Sequence, residues 1–218
     1  MTAAERSYHH GDLPAALLDA VDAIVRERGP GAVTLREAAR RAGVSHAAPA
    51  HHFGDKAGLL TAYAVQGFEA MARRMDAARE QDAVQDGGEQ DGGGRDLTAI
   101  GLAYIAFAVE EPGRFTVMFR PEVLDPDRPE YRASCDAAFE PLQRAVTDLR
   151  GDLAPDDPEV LHAAVGAWSI VHGFATLWLD GNLDEAVTSL PAAEAADAAL
   201  TAFGRLLFVA AGVGLESP

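Results

Sequence analysis

The stretch Thr34 to Lys56, TLREAARRAGVSHAAPAHHFGDK, decides how this chain is read. Leu35 to Ala42 has the composition of a short helix, and Thr34 offers it an N-cap oxygen. Ala38, Ala39 and Ala42 are small enough to let a second helix cross closely. Gly43 adopts positive φ without a Cβ clash and so can end the first helix in a tight left-handed turn. Val44 supplies an apolar plug for the angle between the helices, and Ser45 is placed to cap a second short helix ending near His52. Pro49 then removes a single intrahelical bond. Two short helices held this way, the second facing solvent, meet the needs of a helix-turn-helix whose second helix enters the major groove of DNA. The bland alternative is two surface helices joined by a turn, so the motif has to be weighed with its surroundings.

Outward from this stretch the pattern stays helical. Leu13, Leu17, Val21 and Ile24 form one apolar stripe, with Asp12 as its cap and Gly29-Pro30-Gly31 as its end. Asp55 is placed to cap a long fourth helix that carries Leu60, Ala64, Phe68, Met71 and Met75 on one face. Residues 82–95, DAVQDGGEQDGGGR, hold five glycines and little apolar material, which predicts a flexible loop or helix break. Further helices are expected at 96–110, 113–120, 129–150, 157–180 and 192–211, separated by proline- and glycine-bearing breaks. No run shows sustained alternation with hairpin signals. The expected fold is all-α: an N-terminal three-helix helix-turn-helix domain (residues 1–58), then a larger helical ligand-binding and dimerisation domain (residues 59–218) containing the 82–95 loop.

The formal net charge of −16 looks adverse for a DNA-binding protein. It is unevenly spread. Residues 1–75 carry nine Lys+Arg against eight Asp+Glu, whereas residues 76–218 carry nine against 26. Phosphate repels the acidic part and so orients the near-neutral part toward DNA. One cysteine, Cys135, permits no internal disulfide, which suits a reducing cytoplasm, and no signal peptide is expected. Val160 to Leu179 is free of charge over 20 positions, long enough to span a bilayer. Its two histidines, Ser169 and Thr176 favour a helix buried on most sides of a soluble protein, so no membrane is expected. His46, His51 and His52 lack the spacing of a metal pair, and neither metal nor cofactor is expected. The chain has no GxSxG, HExxH, CxxC or glycine-rich phosphate loop, so it reads as a non-enzyme.

The 34–56 stretch resembles the DNA-binding domain of the tetracycline-repressor (TetR) family. Thr34 to Ser45, His52, Phe53, Lys56, Leu59 and Leu60 carry the likeness. Tyr8 to Leu13 is similar to the lead-in of one TetR subgroup, and Trp168-Ser169-Ile170-Val171-His172-Gly173 to that subgroup's C-terminal mark. The resemblance implies a transcriptional repressor that binds a palindromic double-stranded operator as a homodimer and is released by a small-molecule effector. It implies phosphate contacts from Thr34, Arg36 and Lys56. It places Ser45, His46, Ala47 and His51 against base edges or phosphates, and His52 on phosphate or in support of the helix. Where the family usually has a phosphate-reaching tyrosine before His-Phe, this chain has Ala50 followed by His51.

For the effector, the candidates are Phe68, Met71, Met75, Tyr104, Phe107, Met118, Phe119, Trp168 and His172. These are mostly apolar residues with few polar anchors, as small-molecule pockets require. They also read as core residues, and for His172 a hydrogen-bonded core histidine is the favoured reading. The last two long helices, with Leu200, Phe203 and Leu207, offer more apolar surface than one small domain needs, which points to dimerisation. Two other classes stay open from sequence: a helical small-molecule-binding protein without DNA activity, and an enzyme with an unrecognised site.

Overall fold

The computed structural model describes residues 13–85, 92–151 and 153–210. Among them are ten α-helices and no strand. They are α1 (Leu13–Arg28), α2 (Leu35–Ala42), α3 (Ala48–Phe53), α4 (Lys56–Gln85), α5 (Gly92–Glu110), α6 (Pro112–Met118), α7 (Pro129–Arg150), α8 (Pro158–Leu179), α9 (Glu185–Thr188) and α10 (Ala192–Ala210). The chain divides into two compact units, Met1–Phe68 with Gly113–Cys135, and Glu69–Pro112 with Asp136–Pro218. The first unit thus takes in residues 59–68 and 113–135, which the sequence assigns to the second domain.

In the first unit the α1 stripe is core: Leu17, Val21 and Ile24 are fully buried. Leu59, Leu60, Tyr63 and Ala64 of α4 are buried too, as are Phe115, Val117 and Met118 of α6. Arg114 of α6 lies 4.3 Å over the Tyr63 ring and donates to Asp22 of α1 at 3.2 Å. The Tyr63 hydroxyl donates to the same carboxylate at 2.7 Å. Around Phe68 the rings of Phe119 (5.5 Å) and Tyr131 (5.9 Å) stand edge-on. The second unit has its own core, built from Leu142 and Val146 of α7 and Val160 and Ala164 of α8, with Leu97, Phe139 and Trp168 against them.

Several expectations need correction. The break expected over 82–95 is narrower, since α4 runs to Gln85 and α5 starts at Gly92; residues 86–91 lie outside the described residues, as does the expected cap Asp12. Extending an existing helix fixes one residue per added bond, so a polar sequence such as Asp82–Gln85 can continue it. The Gly181–Pro191 break contains the short α9, capped by Asp184 through the Ala186 N–H. The α8 helix is not buried on most sides. Leu161, Val165 and Leu177 are 37%, 48% and 45% exposed, and its most apolar window is only 17% buried. By length and composition α8 is apolar enough to cross a membrane, a test that core helices of soluble proteins also pass.

Candidate nucleic-acid interface

The helix-turn-helix forms largely as its residues dictate. Thr34 Oγ1 accepts the Glu37 N–H at 3.1 Å and so caps α2. Ala38 and Ala39 are fully buried at the crossing. Gly43 has φ 68° and ψ 29°, the left-handed conformation the turn demands. Asp55 caps α4, its Oδ1 accepting the Gly58 N–H at 2.8 Å.

Ser45 does not cap the second helix as expected. Its carbonyl accepts the Ala48 N–H at 3.0 Å and its hydroxyl accepts the Ala47 N–H at 3.3 Å. This turn postpones the helix to Ala48, with Ala47 as N-cap. Pro49 therefore falls in the first helical turn, where an N–H has no intrahelical partner to lose.

Pro49 and Phe53, one turn apart on α3, are buried and root the helix. Ser45, His46, Ala47, Ala50, His51 and His52 face solvent. The His51 and His52 rings meet edge-on at 5.2 Å. Arg36 is exposed on α2, and Lys56 begins α4 with its Nζ 3.4 Å from the Gly31 carbonyl.

The other cations of this region are engaged. Glu37 takes Arg28 (2.8 Å), Arg40 (2.8 Å) and Arg41 (3.1 Å), while Arg41 also reaches Glu27. Hydrogen bonds from Arg40 and then Arg41 hold the Glu37 carboxyl far below the usual carboxylate range. Among the described residues no ion pair holds Arg36 or Lys56. The surface thus keeps a sparse set of available donors, namely Arg36, Lys56 and the exposed histidines.

The effector candidates separate by unit. Phe68, Met118 and Phe119 pack in the first. Met71, Met75 and Phe107 are buried in the second, where Arg74 lies 5.3 Å over the Phe107 ring. Tyr104, Trp168 and His172, from α5 and α8, form one hydrogen-bonded cluster in the second unit. Trp168 Nε1 donates to the Tyr104 hydroxyl at 3.2 Å, and that hydroxyl lies 2.8 Å from His172 Nδ1. The hydroxyl oxygen accepts from Trp168 and shares a second hydrogen bond with Nδ1, whose donor is set by the imidazole tautomer. Burial pushes the Tyr104 pKa well up and the His172 pKa down, so both stay neutral at neutral pH.

A helix-turn-helix of this geometry, fronted by an exposed short helix and followed by a larger helical unit, defines a DNA-binding regulator of the all-helical class. The comparisons agree. Residues 17–63 match the model for bacterial regulatory proteins of the tetR family, and residues 97–203 that for a tetracyclin repressor-like C-terminal domain. A Rhodococcus protein of unknown function has a similar structure, with 30% identity, 92% of this chain and 98% of that one covered, and a TM-score of 0.73. The TetR family regulator PfmR from Thermus thermophilus shares the fold at 20% identity, covering 85% and 94% of the two chains, with a TM-score of 0.60. An uncharacterised HTH-type transcriptional regulator of Mycobacterium tuberculosis is 31% identical over 83 residues, which is 38% of this chain and 36% of that protein's length. The chain belongs to the TetR family of DNA-binding transcriptional regulators.

Proposed function

We propose that this protein is a cytoplasmic, homodimeric repressor that binds a palindromic operator through α3 and leaves it when a small hydrophobic or aromatic effector binds. The observation that carries the reading is the division of cations around the helix-turn-helix. Arg28, Arg40 and Arg41 are tied to Glu37, while Arg36, Lys56, His51 and His52 stay exposed beside a helix rooted by Pro49 and Phe53. In this reading residues 1–58 hold the DNA contacts and residues 59–218 the effector and dimer surfaces. Thr34, Arg36 and Lys56 meet phosphates, and Ser45, His46, Ala47, His51 and His52 face the groove. Dimerisation uses α8, whose Leu161 and Val165, one turn apart on one face of the helix, are exposed, as is Leu177 near its end. The side chains of Phe203 and Leu207 lie outside those described. Tyr104 and His172 are the polar anchors for the effector, with Trp168, Phe107, Met71 and Met75 as its apolar surroundings. No catalytic role is assigned.

The test is selection of a duplex from a random library by the wild-type dimer, followed by titration of the selected sequence at several salt concentrations. A two-fold repeat with half-sites about 34–36 Å apart, or a multiple of it, is expected. Lys56→Ala should weaken selected and scrambled duplexes alike and lower the salt slope by about one. Failure of the wild type to enrich any sequence would overturn the reading.

A further inference from the structure

The C-terminal end of the six-residue α3 needs partners from outside the helix. The last carbonyls of a helix have no intrahelical partner and must find one elsewhere. The Gly54 N–H takes the Ala50 carbonyl at 3.0 Å. The Phe53 carbonyl is taken by a side chain 75 residues further along: Arg128 Nη2 donates to it at 3.0 Å.

Arg128 is itself fixed. Its Nε reaches Asp125 Oδ2 at 3.2 Å and its Nη1 lies 3.5 Å from Glu130. Asp125 is pinned through its backbone, whose N–H donates to Thr61 Oγ1 at 2.8 Å. Thr61 is fully buried in α4 and donates to the Ala57 carbonyl at 2.8 Å. The Arg128 carbonyl in turn accepts the Tyr131 and Arg132 N–H groups, so the guanidinium belongs to the first turn of α7. Room for it comes from Gly58. A Cβ there would stand 2.0 Å from the Phe53 carbonyl oxygen and 2.6 Å from Arg128 Nη2. Farther along, α7 carries Phe139, whose ring meets Trp168 edge-on at 6.5 Å.

We infer that Arg128 is a positioning residue for the recognition helix: it clamps the C-terminal end of α3 to the start of α7 and so sets how α3 is presented to the operator. This rests on α3 being the DNA-reading helix. Arg128 is not a phosphate contact in this arrangement, because two carboxylates and a carbonyl already surround its guanidinium. A charge-assisted bond to a carbonyl is among the stronger hydrogen bonds, and its loss leaves the last carbonyl of α3 without that partner.

The experiment uses the full-length dimer and the operator it selects. Hydrogen exchange is followed in wild type, Arg128→Met, Arg128→Lys and Thr61→Val. Faster exchange is expected over residues 48–54 in Arg128→Met and Thr61→Val, with α1 unchanged and Arg128→Lys in between. Operator affinity should fall about tenfold in Arg128→Met, while scrambled-duplex affinity and the salt slope hold. Unchanged exchange over 48–54 would overturn the clamp. So would a parallel loss on both duplexes with a shallower salt slope, which marks a phosphate contact. Should Arg128→Met not fold, Thr61→Val and Arg128→Lys decide by the same readouts. A wild type that selects no sequence would sink the DNA reading alone, since exchange still tests the clamp without DNA.

Discussion

Replacing Tyr104 by Phe removes one oxygen from the Trp168–Tyr104–His172 cluster and should destabilise the protein measurably. Tyr104 is 3% exposed, and its hydroxyl bonds Trp168 Nε1 at 3.2 Å and His172 Nδ1 at 2.8 Å. A typical hydrogen bond contributes about 1 kcal/mol net, and two are lost here, so the expected cost is about 2 kcal/mol. The ring itself stays, so no cavity beyond one oxygen opens. The cluster also gives the protein a pH response. Burial lowers the His172 pKa, so the folded state binds that proton less readily than the unfolded chain does. The associated stability is present above the unfolded value, about 6.5, and is lost as pH falls through the lower folded value. Urea unfolding at one fixed protomer concentration, at pH 7.5 and 5.5, provides the assay, because the stability of any dimer depends on concentration. Tyr104→Phe should show the loss at pH 7.5. His172→Gln should flatten the decline toward pH 5.5 relative to wild type. A Tyr104→Phe variant within 0.5 kcal/mol of wild type, a margin typical of surface changes, would refute the argument that the cluster is a satisfied buried network.

Other substitutions probe separate parts of the molecule. Gly58→Ala, which in an ordinary helix interior would stabilise, should destabilise by about 1–3 kcal/mol, because its Cβ meets the Phe53 carbonyl oxygen at 2.0 Å; a gain in thermal stability would contradict this. Glu37→Gln should raise affinity for scrambled DNA and steepen the salt slope, since Arg28, Arg40 and Arg41 lose their shared carboxylate; an unchanged slope would show those cations lie away from phosphate. Ala50→Tyr, at an exposed position of α3, should tighten operator binding by about 1 kcal/mol through one added phosphate hydrogen bond; unchanged affinity with intact helicity would mean another residue already serves. Val165→Asp, on the exposed face of α8, should yield monomers in sedimentation at micromolar concentration, and a persisting dimer would place the interface elsewhere.

Much of the first unit was legible without coordinates because its determinants are local. Thr34 is three residues from the N–H it caps, Gly43 acts through its own φ, and Asp55 is three residues from Gly58. The α1 stripe and the α4 face follow from a period of 3.6 residues, and Leu17, Val21 and Ile24 of the one and all of the other are buried as that period requires. The Ser45 cap failed because a three-residue turn and a helix start use the same residue types, and only the backbone path separates them.

What the sequence by itself determined is therefore the helical class, the helix-turn-helix and the side chains it leaves exposed. Tertiary structure alone decided which distant groups meet. Glu37 gathers Arg28 and Arg41 along with its neighbour Arg40, so the basic residues of the motif are not equally available. The sequence puts Tyr104 and His172 among the effector candidates, but their bond across 68 positions, with Trp168 joining it, appears only when α5 lies against α8. Arg128 gave no signal at all, because the carbonyl it satisfies is a backbone atom of Phe53 and the space it crosses is the missing Cβ of Gly58. Periodicity and capping act over a few residues along the chain. Hydrogen bonds and ion pairs act over about 3 Å of space, and one amino-acid sequence does not state which residues that distance will join.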